Sequence, residues 1–368
     1  MRATVRLLLV GGLLLGLAAP VGAETPSPPQ VSMSSGILVD ASSGRVLWAH
    51  EPDVPRPPAS LTKMLTALVV IERADLEDTA TITPEARNAP GARLYAEEGW
   101  TLPVRDLLWG LLLESGNDAA VALAQKVSPD GSLQGFAALM NERAAAMGAQ
   151  HSSFRNPHGL DEPGHVSTAR DLALIAATAL RNPVLAEIVA SRSHEIGWNG
   201  GHRILVNHNK LLWRYAGAIG VKTGYTGGAG HCLASAARRG DDTILAVMLD
   251  VTNGRHYAAS SALYDWGFSN LPALREASGV SIYRSPVPRS QQRVRTAFED
   301  APAVPATAAD AVVAPDPALV RDSVPVTVPL VALLVATVIG SLTLRQAVRS
   351  RAILLELTPA PARSLSRK

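Results

Sequence analysis

Pro57-Pro58-Ala59-Ser60-Leu61-Thr62-Lys63-Met64-Leu65-Thr66-Ala67-Leu68-Val69 is the stretch on which the reading of the chain turns. Leu61, Met64, Leu65, Leu68 and Val69 recur at i, i+3, i+4, i+7 and i+8, the spacing of a helix that buries one face. Ser60 stands at the N-terminus of that helix, with Lys63 one turn on along the same side. If burial and nearby positive charge lower its pKa, Lys63 can take the Ser60 hydroxyl proton. Backbone N–H groups at the helix start then favour the negative charge that develops. Taken alone, the pattern reads better as a helix-capping serine with a solvated lysine, because chance supplies a Ser-x-x-Lys roughly once in a chain of this size.

Outward from this helix the chain alternates in character. Gly36-Ile-Leu-Val-Asp-Ala41, Ser42-Ser-Gly44 and Arg45-Val-Leu-Trp-Ala49 read as a hairpin closed by a glycine-containing turn. Helical stretches are expected at Leu102 to Leu113, Ala119 to Val127, Phe136 to Met147 and Ala169 to Leu180. Strands return at Ala218 to Thr223, His231 to Ala237 and Thr243 to Val251, before a last helix at Tyr257 to Trp266. This order predicts an α+β domain with helical layers on an antiparallel sheet whose strands come from both ends of the block.

Two further elements carry chemistry. Ser115-Gly116-Asn117 lies between two apolar helical stretches, where a turn can present a hydroxyl for proton relay and a carboxamide for a substrate carbonyl. By itself it is an ordinary capped turn. Lys222-Thr223-Gly224 ends an apolar strand: the lysine and hydroxyl suit a carboxylate, and the glycine lets a backbone come close. Chance supplies that tripeptide in only about one chain in ten. In this order the three form the recurrent Ser-x-x-Lys, Ser-x-Asn and Lys-Thr-Gly set of penicillin-recognising enzymes.

Five segments then carry a resemblance: Pro58-Ala-Ser-Leu-Thr-Lys-Met64, Leu113-Glu-Ser-Gly-Asn-Asp-Ala-Ala120, Phe154-Arg-Asn-Pro-His-Gly-Leu-Asp161, His165-Val-Ser-Thr-Ala-Arg-Asp-Leu172 and Gly220-Val-Lys-Thr-Gly-Tyr-Thr226. Over Ser35 to Gly267 the chain resembles the D-alanyl-D-alanine carboxypeptidases, the low-molecular-mass penicillin-binding proteins. The resemblance implies the serine β-lactamase/DD-peptidase-like fold, removal of the terminal D-alanine from peptidoglycan stem peptides, and inhibition by β-lactam antibiotics. It implies Ser60 as acyl-ester nucleophile, Lys63 as general base, Ser115 as proton relay to the leaving amine, and Asn117 as peptide-orienting group. Lys222 and Thr223 would bind the terminal carboxylate beside Gly224. The N–H groups of Ser60 and Tyr225 would form the oxyanion hole. Arg255 reads equally as a second carboxylate partner or as a surface arginine. A β-lactamase, a DD-endopeptidase and a non-catalytic penicillin sensor remain rival readings, although Ser60 and Lys63 are both present. Glu195, with Asn199 four residues on, stands too close to Lys222 to serve as a lactamase deacylation base. His158 and Asp161 do not read as a triad, because the lysine already supplies the base; the Pro-His-Gly turn is expected to shape the cleft wall.

The ends carry addresses. Arg2 and Arg6, an apolar run from Leu7 to Ala19 and Val21-Gly22-Ala23 predict a signal peptide over 1–23. The peptidase block is expected at 28–278, followed by a Pro/Ala-rich linker at 279–323. The uncharged run 324–344 has about the length of a bilayer-spanning helix, and Arg345, Arg349 and Arg351 open a basic cytoplasmic tail at 345–368. The expectation is a single-pass anchor in a bacterial cell membrane, with the catalytic block on the extracytoplasmic face. A net charge of +2 over 368 residues, with scattered basic residues, points away from nucleic acid as a partner. No zinc-ligand spacing, HExxH or phosphate-binding loop is present, so no cofactor or metal is expected. The single cysteine, Cys232, reads as a packed interior thiol.

Overall fold

The computed structural model describes residues 27–283. β1 (Met33–Asp40) and β2 (Val46–His50) form the expected hairpin. At its turn the Asp40 carboxylate accepts from the Ser42 N–H at 3.0 Å and the Ser43 hydroxyl at 2.8 Å. A single turn of 3₁₀ helix, Ala59–Leu61, leads into α1 (Thr62–Ile71). β3 (Thr79–Thr81), α2 (Pro84–Arg87) and β4 (Thr101–Pro103) precede the helical layer of α3 (Val104–Leu113), α4 (Asn117–Val127), α5 (Leu133–Met147), α6 (Ala169–Arg181) and α7 (Pro183–Ala190). A hairpin of β5 (Ser193–Trp198) and β6 (Gly201–Val206) and the short α8 (Leu211–Arg214) follow. β7 (Ala218–Thr226), β8 (Gly230–Arg239) and β9 (Asp242–Val251) return to the sheet, and α9 (His256–Ser269) and α10 (Leu271–Ala277) close the domain.

Among the described residues the main sheet has five strands in the order β2-β1-β9-β8-β7, with antiparallel neighbours throughout. Successive strand residues point to opposite faces, so each strand serves two cores. Ile37, Val39, Leu245 and Val247 pack under the helical layer, whereas Leu38, Ile244, Ala246 and Met248 pack against α9 and α10. β7 is an edge strand, and its free side runs along the Ala59–Leu61 turn.

One expectation needs correction. The periodicity of α1 predicts a single buried face, but every residue from Thr62 to Val70 is buried. α3, α4, α5 and α6 all pack around α1 and enclose its polar side as well. Periodicity reports which residues are apolar; it cannot report how many neighbours surround a helix. The β5–β6 hairpin was also not expected, yet its turn carries a strong signal: Asn199 and Gly200, both with positive φ (44° and 80°), make the two-residue connection that antiparallel strands favour. Past the boundary expected at Ser278 the chain stays on the domain: the Val46 N–H donates to the Val280 carbonyl and the Ile282 N–H to the Gly44 carbonyl, both at 2.9 Å.

Among the described residues no single helix is long and apolar enough to cross a membrane. The expected signal peptide, the linker from 284 on, the span at 324–344 and the basic tail lie outside the described residues.

Candidate active site

The serine turn is built under strain. Ala59 is fully buried with φ 49°, a conformation costly for a residue with a Cβ. It lies between two glycines. A Cβ on Gly159 would collide with the Ala59 carbonyl oxygen, and one on Gly224 would sit 3.0 Å from the Ala59 Cβ and 3.1 Å from the Ser60 nitrogen. Both glycines are therefore needed for the Asn156–Asp161 turn and the β7 edge to close on the serine. The Ser60 hydroxyl makes no capping bond at the 3₁₀ turn or at α1. The competing picture of a capping serine with a solvated lysine thus fails on both residues.

Lys63 has no exposed surface. Its Nζ lies 3.0 Å from Ser60 Oγ, 2.7 Å from Asn117 Oδ1 and 2.6 Å from the His158 carbonyl oxygen. Burial, and next the positive charge of Lys222, push its pKa well below the ordinary lysine value, against a smaller opposing pull from Asp118. Burial alone brings Lys222, 1% exposed, down to about 7. Burial and the nearby charge of Lys222 together favour the neutral amine at Lys63. A neutral amine has two N–H donors and one lone pair. Asn117 Oδ1 and the His158 carbonyl can only accept, so they take the two donors, and the lone pair is left facing the Ser60 hydroxyl.

Asn117 opens α4. Its Nδ2 donates to the Pro90 carbonyl, which fixes the amide with Oδ1 towards Lys63. Ser115, two residues earlier, is buried with φ 62°, in the sharp turn from α3 to α4 that leads into Asn117. Hydrogen bonds from the His208 N–H to the Leu113 carbonyl (3.0 Å) and from the Gly116 N–H to the Gly110 carbonyl (3.1 Å) hold the turn. Next to it the buried Asp118 carboxylate accepts from the N–H groups of Leu94 and Tyr95, each at 2.9 Å.

On β7, Lys222 is buried, Thr223 and Thr226 are half-buried, and Tyr225 is exposed. Lys222 Nζ donates to the Thr223 carbonyl at 3.0 Å. Arg255 is exposed immediately before α9, at the far end of a row of rings in which Tyr225 packs on His231 and His231 on His256.

Sequence reasoning missed three groups around Ser60, Lys63 and Asn117. The His158 backbone carbonyl, not its ring, contacts Lys63, and nothing in residue identity announces a carbonyl's direction. The Arg155 N–H donates to His165 Nδ1 at 3.1 Å, so Nε2 carries the proton and donates to Thr62 Oγ1 at 2.9 Å, between Ser60 and Lys63. Burial holds the His165 pKa near 4, and burial with the charge of Lys63 lowers that of His158 to about 3, so both rings are neutral near pH 7. The third is Asp118, whose carboxylate accepts from the Leu94 and Tyr95 N–H groups beside Asn117, a role that its place next to Asn117 in the sequence does not announce. His158 and Asp161 form no triad with Ser60: the His158 ring accepts from the Leu160 N–H, and Asp161 bonds Thr226 and Gly228. Glu195 lies on the exposed face of β5, paired with His202 at 3.2 Å. Among the described residues no cluster of histidine, cysteine and carboxylates could hold a metal. Cys232 is buried, and burial raises its pKa to about 12.

Solved structures with this architecture include a D-alanyl-D-alanine carboxypeptidase from Mycobacterium tuberculosis H37Rv (TM-score 0.66, 36% identity, covering 71% of this chain and 98% of that one). The Streptomyces K15 DD-transpeptidase is also similar (TM-score 0.63, 29% identity, 66% of this chain and 100% of that one). The fold and the Ser-Lys centre together define a serine DD-peptidase of the penicillin-binding class. The D-alanyl-D-alanine carboxypeptidase model matches residues 22–253. Among curated relatives, DacB2 of M. tuberculosis is 38% identical over 250 residues, covering 66% of this chain and 85% of the relative. DacF of Bacillus subtilis is 32% identical over 273 residues, covering 71% and 70%. The chain belongs to the D-alanyl-D-alanine carboxypeptidase family, peptidase family S11.

Proposed function

We propose that the protein removes the terminal D-alanine from D-alanyl-D-alanine stem peptides of peptidoglycan through an acyl-enzyme on Ser60. The observation that carries this is the fully buried Lys63 Nζ, 3.0 Å from Ser60 Oγ with its two donors taken by carbonyl oxygens. Ser60 Oγ attacks the carbonyl of the penultimate D-alanine while its proton passes to Lys63. Negative charge on the carbonyl oxygen is met by the N–H groups of Ser60 and Tyr225, on the two elements that Gly224 allows to touch. Ser115 passes a proton to the departing amine, the C–N bond breaks, and D-alanine leaves. Water then attacks the ester and restores Ser60. Asn117 orients both Lys63 and the peptide. Lys222, charged below about pH 7 in the free enzyme, and Thr223 bind the terminal carboxylate, with Arg255 a further positive charge on that side. A β-lactam enters the same site and acylates Ser60.

The same proposal covers the ends of the chain. A signal peptide at 1–23 exports the catalytic block, and the run at 324–344 anchors it by one pass, with the linker between them and the basic tail in the cytoplasm. Incubating the full chain in detergent with a D-alanyl-D-alanine pentapeptide should release free D-alanine, and Ser60→Ala should abolish the release. No release by the native chain, or equal release by Ser60→Ala, refutes the mechanism. Carbonate-resistant membrane association that is lost on truncation after residue 323 tests the anchor.

A further inference from the structure

We infer that Asp161 is a positioning residue that locks the two walls of the cleft together, tying the carbonyl that holds Lys63 to the strand that carries Tyr225. The inference rests on the acyl-enzyme reading and adds a residue that takes no part in bond making.

The Asn156–Asp161 turn behaves as one rigid piece. Asn156 Oδ1 accepts from the Gly159 N–H at 2.8 Å, and its Nδ2 donates to the Leu160 carbonyl at 3.1 Å. The turn is bound to α1 at two points, from Thr66 Oγ1 to the Pro157 carbonyl and from Lys63 Nζ to the His158 carbonyl, both at 2.6 Å. Gly159 presses on Ala59 with no room for a side chain. Asp161 is the last residue of this piece, and both its oxygens reach the end of β7 and the turn that follows it. Oδ1 accepts from Thr226 Oγ1 at 2.6 Å, and Oδ2 accepts from the Gly228 N–H at 2.9 Å. Thr226 Oγ1 also accepts from the Ala229 N–H at 3.0 Å, so one carboxylate organises the whole β7–β8 turn. A Cβ on Gly228 would sit 3.0 Å from Asp161 Oδ2, so the contact is tight.

Thr226 directly follows Tyr225, and among the described residues β7 is an edge strand with no strand beyond it on the Ser60 side. Nothing in the sheet fixes how far Tyr225 stands from Ser60 on that side. Gly224 rests on the Ala59–Ser60 turn on one side of Tyr225, and the Asp161 carboxylate adds a second restraint through Thr226 on the other, from the piece that also contacts Lys63. The base and the second oxyanion donor are thereby held in one frame. Catalysis depends steeply on such placement, a displacement of about 1 Å costing up to about 100-fold in rate.

The test uses the full chain in detergent with Asp161→Ala, Asp161→Asn, Thr226→Val and the Asp161→Ala/Thr226→Val double variant. For each, kcat and KM for D-alanine release, the rate of Ser60 acylation by benzylpenicillin followed by mass spectrometry, and Tm are measured. The expected result for Asp161→Ala is a fall of about 10- to 100-fold in kcat and in acylation rate, with KM within about threefold of native. Thr226→Val should fall in the same sense, and the double variant no further than the worse single one, because both break one connection. Asp161→Asn, which keeps one acceptor oxygen, should lie between native and Asp161→Ala. Native acylation and kcat in Asp161→Ala, a change in KM alone, independent losses in the double variant, or a rate loss that merely follows the unfolded fraction would each overturn the inference. Failure of the native chain itself to acylate would instead refute the Ser60 reading on which this one stands.

Discussion

Replacing Gly224 by alanine tests the closure of the site with a single methyl group. Gly224 is not in the left-handed region, so alanine meets no backbone penalty there and the effect comes from the Cβ alone. That Cβ would stand 3.0 Å from the Ala59 Cβ and 3.1 Å from the Ser60 nitrogen, whereas non-bonded carbons rest at about 3.5–4.0 Å. A separation of about 0.5 Å must open somewhere. Ala59 cannot retreat, because Gly159 and the turn behind it already touch its carbonyl. β7, an edge strand, is the side that yields, and Tyr225 moves with it. Loss of a whole oxyanion donor costs about 100- to 1000-fold in kcat, so a shifted donor should cost about 10- to 100-fold. Overpacking should destabilise the fold by about 1–3 kcal/mol. For a domain of this size that lowers Tm by roughly 2–12 °C. Penicillin acylation followed by stopped-flow fluorescence, with kcat for D-alanine release and a thermal melt, reads all three quantities. An alanine variant that acylates at the native rate would refute the close approach of β7 to Ser60 as a requirement for catalysis.

Three further outcomes follow from the buried groups. The activity of the free enzyme should fall above about pH 7 as Lys222 loses the charge that binds the carboxylate, and at acid pH as Lys63 becomes protonated, giving a bell in kcat/KM whose alkaline limb disappears in Lys222→Ala. The neutral histidines set the acid stability: the pKa values of His158 and His165, about 3 and 4, lie below the ordinary 6.5, so between these values the unfolded chain binds more protons and stability falls as pH falls. Urea midpoints at pH 7 and pH 4.5 check the sign, and a more stable protein at pH 4.5 would contradict it. Thr62→Val keeps the side-chain shape but leaves the buried His165 Nε2–H without its acceptor, which should cost about 1–3 kcal/mol. An unchanged melting temperature would show that the bond contributes nothing to stability.

Much of the molecule is legible from the sequence, and the reasons differ by level. The alternating strands, the apolar helices and the antiparallel sheet assembled from both ends of the block follow from periodicity, which is a local property of neighbouring side chains. The three motifs are legible because their chemistry needs fixed residue types in a fixed order. The β5–β6 hairpin could have been found from Asn199-Gly200, but its strands are polar on one face and broken by Gly197, which weakens the pattern on either side of the turn. Lys63 is harder. Its helical period says which side it shares with Ser60, while its burial depends on four other helices closing around α1.

Sequence alone therefore determined the family and the α+β order, and supplied the candidate site residues and the expectation of an anchored, exported protein, because each rests on local pattern or residue identity. Tertiary structure decided the protonation logic. A lysine becomes a base only when its charge is stripped of water and placed near a second cation, and that depends on packing between segments distant in the chain. It also decided that Gly159 and Gly224 must be glycines, that the backbone carbonyl of His158 meets Lys63, and that Asp161 bonds the end of β7. These are contacts between surfaces, and a one-dimensional pattern does not record the distance between them.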